Sequence, residues 1–138
     1  MAGWKTMTNK QDKAFDILLH LIISMLWCKK FECSYSSITD DDWAEVLSLA
    51  IKQTVAGIAF NALDKVPKDM QPSKQVLLKW SVLATRVTMQ NKKMNDTLCD
   101  LFSVLQSKNF QPILQKGQGI AQKYPLPELR ECGDIDLY

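Results

Sequence analysis

The sequence is short of the residues that most often mark a site or a covalent staple. It holds one histidine, His20, and four cysteines. Cys28, Cys33, Cys99 and Cys132 form no Cys-x-x-Cys pair, and their only histidine companion is the distant His20. Zinc sites and disulfide frameworks need closer spacing than this. The cysteines therefore read as reduced thiols of a cytoplasmic protein, two of them buried and Cys132 near a motif only incidentally. There is no excess of one charge: 17 basic and 15 acidic side chains leave a formal net charge of +2. That balance gives no pull towards nucleic acid or an acidic membrane, and no basic stripe with interleaved aromatics is present. There is also no long apolar run. The most apolar stretch, residues 17–27, falls short of the ~20 residues that a membrane span needs. His20 and Ser24 interrupt it, and Lys29 and Lys30 follow it instead of preceding it as in a signal peptide. It reads as a core helix, and His20 on it as a satisfied core histidine. Repeats and low-complexity tracts are absent.

What is there reads as one domain of 138 residues, 46% apolar and 23% charged, large enough to bury a core. Residues 1–9 have no periodicity and read as a loose start. A helix is expected over 11–28, with Phe15, Leu18, Leu19, Ile22, Ile23 and Leu26 recurring at steps of three and four. Thr39 followed by three aspartates reads as a helix start, with Asp41 and Asp42 in the first turn, and not as a metal site. That helix should run to about Gln53, with Trp43, Val46, Leu47, Ala50 and Ile51 inward. A short helix over 54–66 should bury Val55, Ile58, Ala59 and Leu63, with Gly57 allowing close packing.

Between 73 and 108 there is neither glycine nor proline. Ser73 can cap, and Val76, Trp80, Leu83, Val87, Gln90, Met94, Leu98, Leu101 and Leu105 step at heptad-like spacing. One helix of roughly 50 Å is expected. Its polar middle, 90–93, should cross solvent, or meet a partner or a half of the protein expected to lie outside this sequence. A bundle seam within the chain is the first reading of the stripe, and a coiled-coil dimer the second.

The last stretch carries the chemistry. Residues 110–115 read as a strand, residues 117–123 as a short helix after Lys116-Gly117, and 134–138 as a second strand. On a strand, Asp134 and Asp136 project side by side while Ile135 and Leu137 turn back to a core. Two adjacent carboxylates call for a cation, and Mg²⁺ is the natural occupant. Lys116-Gly117 lies at a strand-to-helix junction, where free amides and a positive dipole end suit a phosphate. Gly117 and Gly119 permit close approach. Arg130 can fork onto a phosphate, or pin the connector by pairing with Glu128 or Glu131.

Lys116-Gly117, Tyr124-Pro125, Arg130 and Gly133-Asp134-Ile135-Asp136 resemble the signature of an uncharacterised bacterial nucleotidyltransferase family, of the DNA polymerase β-like superfamily. The resemblance implies a mainly α fold: a helical region over 1–109 with one long helix, running into the first β-α-β elements of an α+β palm over 110–138. It implies Asp134 and Asp136 as catalytic metal ligands for Mg²⁺. It implies Lys116, Gly117, Arg130 and Gly133 as nucleotide-binding residues, and nucleotidyl transfer from a nucleoside triphosphate to an unknown acceptor. Gln118 departs from the superfamily's Gly-Ser or Gly-Gly pair. The third carboxylate that members carry on a later strand has no counterpart before Tyr138, so the chain is expected to be inactive by itself. Residues 134–138 would then have no sheet to join, and should be poorly ordered or paired with another chain. The alternative reading is a helical interaction module that self-associates or binds a partner through the long helix. No membrane and no sequence-specific nucleic acid are expected as partners.

Overall fold

The computed structural model describes residues 9–138. Most of the loose start expected for 1–9 therefore lies outside the described residues. The exception, Asn9, opens the first helix. Four helices build the body: α1 (Asn9–Leu26), α2 (Asp40–Lys52), α3 (Ala56–Ala62, prolonged by a 3-10 turn at Leu63–Lys65) and α4 (Lys74–Ser107). A small motif segment follows: β1 (Leu114–Gln115), α5 (Gly117–Ala121), a 3-10 turn at Pro127–Leu129, and β2 (Asp136–Leu137). The fold is mainly α with one long helix. Among the described residues no helix is long and apolar enough to cross a membrane.

Local chemistry sets the helix starts. The Asp42 amide donates to the Thr39 hydroxyl at 3.2 Å, and the Thr39 amide donates back to the Asp42 carboxylate at 2.9 Å. This capping box satisfies two donors that the first turn leaves without partners. Lys13 of α1 donates to the same carboxylate at 2.6 Å, fastening α1 to the start of α2. Desolvation pushes the Asp42 carboxyl up, but the bonds from Lys13 and Thr39 outweigh it and hold it below its ordinary value. Asp40 accepts the Ser73 amide at 2.9 Å, which ties the start of α2 to that of α4. Ser73 in turn caps α4 through the Val76 amide.

The core lies where these helices meet. Trp43 and Trp80 are fully buried and pack edge to face, with ring centroids 6.3 Å apart. Each indole N–H has a carbonyl: Met70 at 3.0 Å for Trp43, and Ala56 at 2.8 Å for Trp80. Burying a tryptophan costs little only when its N–H is satisfied in this way. Around the pair stand Ile17, Leu21, Val46, Ala50, Ala59 and Ala62, all inaccessible to water.

Several expectations needed the packing to correct them. α1 buries Ala14, Ile17, Leu18, Leu21, Ser24 and Met25. Phe15 and Leu19, expected inside, are 48% and 42% exposed. α1 is apolar around most of its girth, so the sequence period does not fix its rotation. The small residues Ala14 and Ser24 are buried instead. Ile51 of α2 is likewise turned outward. His20 is half-exposed, not a core residue, with Nδ1 2.9 Å from the Asp16 carbonyl. None of the cysteines is buried: all four are free thiols, Cys28 and Cys99 exposed, Cys33 and Cys132 partly covered.

The two strands pair antiparallel with each other, Leu114 opposite Leu137 and Gln115 opposite Asp136. The Ile113 and Tyr138 backbones exchange two further bonds of 2.8 and 2.9 Å. The final strand thus finds its partner in its own chain. Its regular part is only two residues long, because a ribbon without further strands has no ladder on either side to extend it.

Candidate functional site

The connector 126–130 fixes the motif segment to the helical body. The Glu128 and Arg130 carbonyls both accept from Asn91 Nδ2, each at 2.7 Å. Between them, the Leu129 carbonyl presses on α3 at Gly57. Asn91 lies in the polar middle of α4, which is not a solvent crossing. The buried stripe of α4 runs through Trp80, Ala84, Val87, Asn91 and Leu98, while Gln90 is exposed. Asn91 stands in phase with the core residues, and a polar residue in that phase was the available signal for a buried hydrogen-bonding role.

The network continues into the motif. Gln118 Nε2 donates to Asn91 Oδ1 at 3.2 Å, and the Cys132 thiol lies 3.8 Å from Gln118 Oε1. Gln118 is buried. Gln118 thus faces the helical body. Arg130 Nη1 donates to the Gly117 carbonyl at 3.2 Å and to Cys132 Sγ at 2.9 Å. Its guanidinium stands over the Tyr124 ring, 5.7 Å from the centroid. Its partners are thus a carbonyl, a thiol and an aromatic ring, where a neighbouring glutamate was one expectation. Glu131 is pushed above its ordinary value by burial, with a hydrogen bond from the Ala56 amide acting against the shift.

The Lys116-Gly117 turn has an unusual backbone. Lys116 adopts φ 50° and ψ −146°, a region suited to glycine, and Gly117 follows with φ 31°. A β-carbon on Gly117 would stand 3.0 Å from the Asp134 carbonyl, so the turn and the second strand's approach are in close contact. The amides of Gly117, Gln118 and Gly119 precede the first backbone bond of α5, from Ile120 to the Lys116 carbonyl. With five residues α5 adds little dipole, and the amides are what the turn offers an anion. Lys116 Nζ lies 4.0 Å from Asp136 Oδ2, with the lysine side chain largely in solvent and the aspartate partly covered. Asp134 and Gly133 are exposed. The fold therefore brings Lys116, Gly117, Arg130, Asp134 and Asp136 to one end of the ribbon. Gly133 lies beside them, and a β-carbon there would meet nothing within 4 Å.

Among the described residues no group of three or more histidine, cysteine, aspartate or glutamate side chains is placed to hold a metal ion. Two carboxylates still match the donor set of Mg²⁺, which is held through one or two carboxylates and substrate phosphates and keeps several waters. Asp134 and Asp136 are hard oxygen donors, Asp134 exposed and Asp136 partly covered, and Asp136 is balanced by the Lys116 ammonium. The residues present fit that ion.

The Lys116-Gly117 turn thus lies beside the segment that carries Asp134 and Asp136, of which only Asp136 belongs to the regular strand. A family model described as uncharacterised nucleotidyltransferase matches residues 39–138, and the chain belongs to that family. No curated protein and no solved structure matches it.

Proposed function

We propose that this chain carries the nucleotide-binding part of a nucleotidyl-transfer site that uses Mg²⁺. The reading rests on one observation: the Lys116-Gly117 turn and the segment carrying Asp134 and Asp136 share one end of the ribbon, with Lys116 and Asp136 4.0 Å apart. Residues 110–138 are on this view the start of the palm. Asp134 and Asp136 would hold the metal ion. That ion, when bound, neutralises charge on the phosphates and aligns the attacking and leaving oxygens. The amides at 117–119 would receive a phosphate, and the Lys116 ammonium would add positive charge beside it. Arg130 supports the turn from its Gly117 carbonyl and adds positive charge behind it. Gly133 leaves room for the triphosphate.

The test is calorimetry of the chain with Mg-ATP and the other three Mg-nucleotides. Binding that disappears in Asp134→Ala with Asp136→Ala supports the reading. Absence of heat with every nucleotide, or heat indifferent to the double substitution, rejects it.

A second reading is favoured by the outer face of α4, where Leu78, Val82 and Met89 are exposed. Self-association of two copies through this stripe would make the long helix an interaction surface. Light scattering separates the cases: a dimer dispersed by Val82→Glu supports the second reading, and a strict monomer rejects it.

A further inference from the structure

Building on the nucleotide-site reading, we infer that Asn91, which lies outside the motif in the middle of α4, is a positioning residue for that site, acting with Gln118. The amide of an asparagine has two donors and an acceptor oxygen with two lone pairs, and here both donors and the oxygen are engaged. Nδ2 donates to Glu128 and Arg130, and Oδ1 accepts from Gln118. Among the described residues no buried side-chain polar atom is left without a partner. A buried polar group that is fully satisfied selects one arrangement, because any other strands a donor or a carbonyl out of water.

The selected arrangement reaches both halves of the site. The Arg130 backbone, held at its carbonyl by Asn91, carries the guanidinium that bonds the Gly117 carbonyl. Gly117 in turn abuts the Asp134 carbonyl. Gln118, held from the same Asn91, is the second residue of α5 and next to the phosphate-facing turn. One side chain of the long helix thus sets where the turn stands relative to the segment that carries the two aspartates. It touches neither phosphate nor metal. On this reading the helical body forms one wall of the site's geometry and is not a separate appendage.

The test combines two readouts on the whole chain, with Mg-ATP as the probe. Asn91→Asp keeps the shape and replaces the donor group with an acceptor. We expect about tenfold weaker Mg-ATP binding, as for other residues that orient ligand-holding groups. Amide hydrogen exchange at Ile113 and Tyr138 should quicken by a similar factor, while amides of α1 to α3 keep their rates. Ile17→Val is the control: it loosens the core and should leave the Mg-ATP affinity unchanged. If Asn91→Asp does not fold, Gln118→Ala, which spares both carbonyl bonds, carries the same readouts with a smaller effect in the same direction. Unchanged affinity in a folded variant overturns the inference, as does faster exchange spread evenly over the molecule. Absence of Mg-ATP binding in the unaltered chain is a different failure, since it removes the nucleotide reading beneath it.

Discussion

A β-carbon on Gly57 would stand 2.6 Å from the carbonyl oxygen of Leu129. The first turn of α3 and the connector of the motif segment therefore meet with no room for a side chain. The neighbouring Glu128 and Arg130 carbonyls turn the other way, to Asn91 of α4. Three successive residues of the connector are thus held between two helices by their backbone. A backbone carbonyl cannot swing aside as a flexible side chain can. Gly57→Ala should therefore destabilise the chain by about 1–3 kcal/mol, the usual cost of overpacking a fitted contact. Chemical denaturation measures this, and a cost near zero would show that the connector shifts freely.

Lys116 offers the opposite sign. Its φ of 50° with ψ of −146° is a conformation that only glycine adopts without cost, and such strain is worth on the order of 1–3 kcal/mol. Lys116→Gly should stabilise the fold, less the extra flexibility that glycine gives the unfolded chain. The same substitution should weaken Mg-nucleotide binding, because the ammonium is lost. A thermal melt and a titration on one sample read both effects, and stability that falls would count against strain at this position.

The acid limb of stability should depend on Asp42. Its folded carboxyl sits below its ordinary value because Lys13 and Thr39 bond the charged form. The unfolded chain then binds the proton more readily. The stability from this group is complete above the unfolded value, near 4, and is lost as pH falls through the lower folded one. Asp42→Asn should cost about 1 kcal/mol at pH 7, the scale of a lost cap. The gap between the two proteins should close in strong acid. Denaturation curves from pH 2 to pH 7 check this, and a gap constant across that range would remove Asp42 from the account.

Glu131 works the other way. Burial raises its carboxyl, against the Ala56 amide. Its stabilising contribution is complete below the unfolded value, near 4.3, and is lost as pH rises through the higher folded value. Glu131→Gln should therefore be neutral or stabilising at pH 7, with the advantage fading below pH 4. Loss of stability at pH 7 would mean that the charged form is the one the Ala56 amide needs.

Much of the fold was legible because it rests on local chemistry. The Thr39 cap, the Ser73 cap and the long helix beyond it follow from residue types and from the absence of glycine and proline over 73–108. The motif order from Lys116 to Asp136 was also legible, and the family match covers it. The rotation of α1 was not, because a helix apolar on most sides buries whichever face its neighbours choose. The role of Asn91 was only half legible: its phase with Trp80, Ala84 and Val87 marks it as inward-facing, but not what it bonds. Its neighbours Gln90 and Lys92 are polar, and the carbonyls that Nδ2 bonds lie 37 and 39 residues away in the connector.

By itself the sequence determined where the capped helices start and in what order the Lys-Gly and Asp-x-Asp motifs come. Caps, propensity and alternation act over a few residues, so they can be read from the chain directly. Tertiary structure alone decided that the two strands pair with each other, that Gln118 faces α4, and that Lys116 stands beside Asp136. These depend on contacts between segments far apart in sequence. Their energies come from burial and from satisfying particular carbonyls, and neither quantity exists until the segments have met.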